Sequence, residues 1–278
     1  MQLDQKRQKL LARLAELQSC AVAFSAGVDS TVVAKAAQLV LGENAVAIRG
    51  TSASMAAGEL DQAKQLAALI GIRHEIVATD EFSQPDYLRN ASDRCYHCKT
   101  ELYSQLDRLL PQLGVLHAVN GANADDLGDY RPGMQAATEH AVLSPLAECG
   151  ITKAEVRELA RHWNLPVWDK PATPCLSSRV AYGEEVTPQR LAMIDQAEQF
   201  LRSHGLRTVR VRYHKGDMAR LEVPVEALRQ FVDDRFRQDL IARLREIGFR
   251  FVTLDLEGFR SGNLNQLVQL TSERSAPA

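Results

Sequence analysis

Leu10, Leu11, Leu14 and Leu17 recur at helical spacing within residues 3 to 18, and the apolar run Ala21 to Phe24 follows at once, so the chain opens as a helix and then a strand. That strand ends in a turn of small residues. Beyond it the same switching of periods predicts a helix over Thr31 to Leu41, a strand over Ala45 to Arg49, a helix over Ala56 to Ile70 and a strand over Ile72 to Ala78. A helix over residues 99 to 110, a strand over Val115 to Val119 and a helix from Thr152 to Trp163 continue the series. Strands alternating with helices predict an α/β fold with a parallel sheet covered by helices. We place this first domain over residues 1–180.

After Tyr182 and Gly183 the rhythm changes to a helix over Thr187 to His204, two β-runs in RTVRVRYH and MARLEV, a helix over residues 225 to 246, and the β-run FRFVTLDL. This predicts a smaller α+β domain over residues 181–260, for substrate binding or oligomer contacts. A tail of low apolar content covers 261–278. With 33 Lys and Arg against 35 Asp and Glu, the net charge of −2 leaves no basic field for nucleic acid. The amino-terminal stretch is charged and helical rather than a signal peptide, and no segment has membrane-spanning length, so a cytoplasmic protein is expected. Five cysteines without a secretory signal point away from a disulfide scaffold and towards thiols used for metal or catalysis.

The turn after the first strand reads Ser25-Ala26-Gly27-Val28-Asp29-Ser30 and opens a helix. Small residues there let backbone N–H groups approach an anion closely. A tight turn capped by Ser or Asp would give a similar string. Neither GxxxxGK[ST] nor GxGxxG occurs after this strand. The segment resembles the SGGxDS signature of the PP-loop ATP pyrophosphatases, which cut ATP between its α and β phosphates and pass AMP to an acceptor. Ala26 stands where that signature has Gly. The resemblance implies that Ser25, Ala26, Gly27, Val28 and Ser30 line the pyrophosphate and that Asp29 helps to hold Mg²⁺.

A second turn, Asn120-Gly121-Ala122-Asn123-Ala124-Asp125-Asp126 with Asp129-Tyr130-Arg131-Pro132-Gly133, follows the strand VLHAV, where it can face the phosphate loop. Taken alone, it is equally a solvated acidic turn. Ser144-Pro145-Leu146 and Ile151-Thr152-Lys153-Ala154-Glu155-Val156-Arg157 resemble the PL…TK-x-EVR segment of several PP-loop enzymes, in which Lys153 would touch phosphate; alone it reads as a surface lysine. GANADDLGDYRPG, SPLAECGITKAEVR, WDKPATPCLSSR and VRVRYH together resemble the LarE family over residues 5 to 255. That resemblance implies ATP-dependent adenylation of the carboxylates of a pyridinium dicarboxylate mononucleotide, their conversion to thiocarboxylates, and a homo-oligomer, a hexamer, as the assembly.

Cys95 and Cys98 form a C-x-x-C pair at a predicted helix start, and Cys175 lies in a loop that Pro171 and Pro174 keep extended. The pair alone fits a dithiol, half of a zinc site or part of an iron–sulfur site. Three thiols match three corners of a 4Fe–4S cubane and leave one iron open to carry an extra sulfide. In LarE enzymes without the pair, the residue matching Cys175 gives up its own sulfur and becomes dehydroalanine; the pair here implies the recycling form. Cys20 and Cys149 read as packing residues. Arg210 and Arg212 share a strand face and, with the match at VRVR, are assigned to the substrate phosphate, although a half-solvated strand would carry the same pattern; Lys215 and Arg220 are expected to face solvent. The rival readings are a PP-loop tRNA thiolation enzyme, which would need a basic surface, and a non-catalytic adenine-nucleotide binding module, which leaves Cys175 unexplained.

Overall fold

In the computed structural model, which describes residues 2–128, 132–171 and 173–260, α1 (Leu3–Glu16) leads into β1 (Cys20–Ala23), α2 (Val28–Leu41), β2 (Ala45–Thr51), α3 (Glu59–Ile70) and β3 (Arg73–Ala78). Next come α4 (Pro85–Leu88), α5 (Arg94–Leu113), β4 (His117–Val119), α6 (Pro132–Glu139), α7 (Pro145–Glu148) and α8 (Lys153–His162). The order ends with α9 (Pro188–Ser203), β5 (Arg210–His214), β6 (Met218–Glu222), α10 (Asp234–Ile247) and β7 (Phe251–Leu254). The Asp129-Tyr130-Arg131 part of the acidic turn, Ala172 and the tail from Ser261 lie outside the described residues. Among the described residues no helix is long and apolar enough to cross a membrane.

The chain divides into two compact units, Met1–Glu81 with Cys95–Thr173, and Phe82–Arg94 with Pro174–Ala278. The first is built on a four-stranded, all-parallel sheet in the order β3-β2-β1-β4. Both faces are covered, as a parallel sheet requires. Cys20 and Val22 of β1 pack with Leu10, Leu14, Val33 and Leu159 on one side, while Ala21 between them faces Tyr103, Leu106 and Ala137 on the other. Because β2 and β3 extend to one side of β1 and β4 lies on the other, the strand order reverses at β1. The carboxyl ends of β1 and β4 therefore flank a topological switch point, where open α/β sheets take their ligands.

Helix α2 starts at Val28, earlier than the apolar period suggests, which puts Asp29 in its first turn. The carboxylate suits that end of the helix dipole. In the second unit β5 pairs antiparallel with β6 and β6 parallel with β7. The single helix expected over residues 225 to 246 is broken into a 3-10 segment, Val225–Val232, and α10. Asp233 makes the break: its backbone is extended, and its carboxylate accepts the Phe236 N–H at 2.8 Å as the cap of α10.

Residues Phe82–Arg94, which carry no clear period, belong to this second unit. Asn90 is fully buried at φ +55° and donates to the carbonyls of Ala181 at 2.8 Å and Glu184 at 2.9 Å. Arg94 donates to the Ser177 carbonyl at 2.9 Å, and the Tyr87 and Ser177 hydroxyls meet at 2.7 Å. These bonds tie the stretch after Cys175 to the short helix α4.

Candidate active site

The phosphate loop is a hydroxyl-lined turn wrapped on the start of α2. Ser30 Oγ accepts the Ser25 N–H at 3.2 Å and stands 3.0 Å from Ser25 Oγ, and Thr31 Oγ1 donates to the Gly27 carbonyl at 2.7 Å. Gly27 is the cap residue in extended backbone, so the first N–H groups of the helix point out of the turn without intrahelical acceptors. Ala26, at the position of the signature's second Gly, adopts φ +56° and is buried. A Cβ in this left-handed region is strained.

The acidic turn comes up against this loop through Gly121. A Cβ on Gly121 would stand 2.7 Å from the Ser30 nitrogen and 3.0 Å from the Asp29 carbonyl carbon, so only glycine permits the contact. Asp29 then gathers the neighbours: Asn123 donates to one carboxylate oxygen at 3.2 Å and Lys153 forms an ion pair with the other. Thr152 caps α8 through a capping box with Glu155, and this aims Lys153 from the first residue of the helix. Asp125 accepts the Lys153 backbone N–H at 2.9 Å, and Asp126 accepts the Asn123 N–H at 3.0 Å. The two acids therefore shape the turn, and the Asn123 side chain reaches Asp29.

In the second unit the loop of Cys175 is held through its main chain. Arg179, almost fully buried, donates to the Cys175 carbonyl at 2.8 Å and to the Pro174 carbonyl, while its other nitrogens bind Glu198 at 3.0 and 3.3 Å. Arg212 is bound by Glu222 at 2.8 Å and donates to the Ser178 carbonyl at 2.9 Å. Arg210 is 8% exposed and lies over the Phe259 ring at 5.2 Å. Burial, with Arg179 close by, pushes its guanidinium down to about 10, which leaves it charged at neutral pH. Arg220 does not face solvent as expected: Glu222 at 3.2 Å and Asp255 at 2.5 Å draw it into the same network, whereas Lys215 is exposed.

All five cysteines are free thiols. Cys20 and Cys149 are buried in the first unit's core, where burial pushes the Cys20 thiol up to about 12 and Cys149 in the same direction. Cys95 and Cys98 lie in the first turn of α5, exposed and half-buried, with the spacing that puts them on one helix face. Cys175 is exposed, in extended backbone, at the head of the 3-10 turn Leu176–Arg179. The donor set has the right chemistry for a thiolate-bound cluster; among the described residues no three His, Cys, Asp or Glu side chains converge on a metal position.

No family model matches the chain. Over 264 residues, 95% of each chain, it is 39% identical to the pyridinium-3,5-bisthiocarboxylic acid mononucleotide synthase of Lactiplantibacillus plantarum. The chain belongs to the LarE family. It is also similar to an uncharacterized protein of Synechocystis, 48% identical over 96% of this chain and 99% of that one, and to one of Methanocaldococcus jannaschii, 30% identical over 63% of this chain and 67% of that one.

For this LarE family member, the pattern reading gives no individual role to Gly121, Asn123 and Arg179, though they stand in quoted motifs, and passes over Glu198. Glu198 does leave a signal: it falls on the apolar stripe of Leu191, Ile194 and Leu201, where a carboxylate must be buried and paired. Nothing in the sequence alone marks the close approach of Gly121. Two substitutions test these backbone constraints. Ala26→Gly should raise stability by about 1 kcal/mol by releasing the left-handed strain. Gly121→Ala should lower it by roughly 2 kcal/mol, because the added methyl meets backbone. Urea unfolding midpoints at constant slope read both effects.

Proposed function

We propose that the protein is an ATP-dependent sulfur insertase that adenylates the carboxylates of pyridinium-3,5-dicarboxylate mononucleotide and converts them to thiocarboxylates for the nickel-pincer cofactor. The junction at Asp29 carries this reading: an anion-binding turn, a carboxylate and a lysine meet at the switch point of a parallel sheet. Support comes from the relative named for the bisthiocarboxylic acid mononucleotide. In this reading ATP lays its polyphosphate on the first turn of α2, lined by Ser25, Ala26, Gly27, Val28 and Ser30. Asp29 would hold Mg²⁺, an ion that needs only one or two carboxylates when phosphate and water complete its shell. Lys153 then sits where it can balance the phosphate charge.

A carboxylate oxygen of the substrate attacks the α-phosphorus, the bond to the bridging oxygen breaks, and pyrophosphate leaves with the electron pair. Sulfur next attacks the acyl carbon, and AMP departs with the former carboxylate oxygen. Arg210 and Arg212 are assigned to the substrate phosphate, since guanidinium groups match it bidentately and a buried cation gains from an anion beside it. Cys175 presents the sulfur chemistry from a loop whose main chain is fixed. A 4Fe–4S cluster, when bound by Cys95, Cys98 and Cys175, would supply an open iron for an extra sulfide. The reading includes a homo-oligomer, a hexamer, without nucleic-acid or membrane partners.

Asp29→Ala should reduce substrate-dependent AMP and pyrophosphate formation by about a hundredfold or more, as removal of a phosphate-charge clamp does. Chromatographic quantification of AMP checks it, and turnover equal to that of the unaltered protein would remove the nucleotide assignment. Anaerobically purified protein should contain iron and acid-labile sulfide, and Cys95→Ala should lose both together with multiple turnover. Iron-free protein would instead point to Cys175 as a consumed donor, seen by mass spectrometry as a loss of about 34 Da, the H₂S removed as dehydroalanine forms.

A further inference from the structure

We infer that Lys170 is an additional polyphosphate ligand that binds the two phosphates departing as pyrophosphate; this rests on the nucleotide reading above. Lys170 lies against the phosphate loop at Ala26. Its Nζ donates to the Ala26 carbonyl at 3.4 Å and to Gln62 Oε1 at 2.6 Å. Both partners are neutral. Among the described residues no carboxylate stands within ion-pair distance of this ammonium: Glu59 acts on it only through space, because Arg49 binds the Glu59 carboxylate at 2.9 Å.

The ammonium is also half-buried, and burial together with Arg49 holds it below the usual lysine range. A desolvated cation without a counter-ion is unfavourable, and an anion within reach offsets that cost. The two lysines at the loop thus differ in state. Lys153 forms an ion pair with Asp29, whereas among the described residues Lys170 has no carboxylate within ion-pair distance. Its backbone is fixed for the task, since Arg157 donates to the Trp168 carbonyl at 2.8 Å and to the Lys170 carbonyl at 3.0 Å, and Arg161 stacks on Trp168 at 4.3 Å. Because the turn Ser25–Ser30 takes the pyrophosphate portion of ATP, a cation touching Ala26 meets those phosphates and not the AMP moiety. There it also stabilises charge developing on the leaving group.

Isothermal titration calorimetry with Mg·ATP, Mg·pyrophosphate and AMP, on the unaltered protein, Lys170→Met and Lys170→Arg, tests the assignment. Lys170→Met should weaken ATP and pyrophosphate by about ten- to a hundredfold, the size of a lost charge-assisted hydrogen bond, with AMP affinity unchanged. Lys170→Arg should keep most of the pyrophosphate affinity because it keeps the charge. Equal loss of AMP and pyrophosphate binding in Lys170→Met would mean that the lysine only props the loop, and would overturn the inference. Unchanged pyrophosphate binding in that variant would overturn it as well, while the nucleotide reading would stand. If the unaltered protein binds neither ATP nor pyrophosphate, the nucleotide reading itself falls and takes this inference with it.

Discussion

The contact between Gly121 and the first turn of α2 is the constraint on which the site depends. It brings the turn after β4 into backbone contact with the start of α2, beside the paired ends of β1 and β4. With that distance set, the Asn123 amide reaches Asp29, and the Thr152 cap turns Lys153 to the same carboxylate from the other side. One carboxylate thus joins three chain segments that are remote in sequence. Since Asp29 is both a junction and the proposed metal ligand, the shape of the loop and its charge are not separable properties.

The second unit is organised by a different principle, the pairing of charges that have left water. Glu198 and Glu222 are fully buried, and each binds two arginines: Arg179 and Arg202 for the first, Arg212 and Arg220 for the second. Such groups add little net stability over an apolar core, yet loss of the glutamate costs about 3–5 kcal/mol because a buried arginine is then left without its counter-ion. The arrangement therefore favours geometry over stability. Arg179 and Arg212 also donate to the carbonyls of Cys175 and Ser178, so the network fixes the main chain around the exposed thiol.

Local periodicity and turn chemistry carried much of the fold and the inner part of the site. The alternation of β1, α2, β2, α3 and β3 is written in apolar spacing, and Ser25 to Ser30 stands out because small residues, an acid and hydroxyls fall between a strand and a helix. Periodicity fails where a single side chain decides. Asp233 divides an otherwise continuous helical pattern, and Asn90 pins Phe82–Arg94 to a unit whose remaining residues come much later in the chain. Contacts such as Gly121 with Ser30 or Lys170 with Ala26 join residues from separate elements, and no window of sequence contains both members.

Arg179 holds Pro174 and Cys175 by their carbonyl oxygens, and these are present whatever side chain residue 175 carries. That anchorage is accordingly indifferent to the chemical fate of the sulfur. A chain that has lost it, or bears it in another oxidation state, still offers Arg179 the same two carbonyl acceptors.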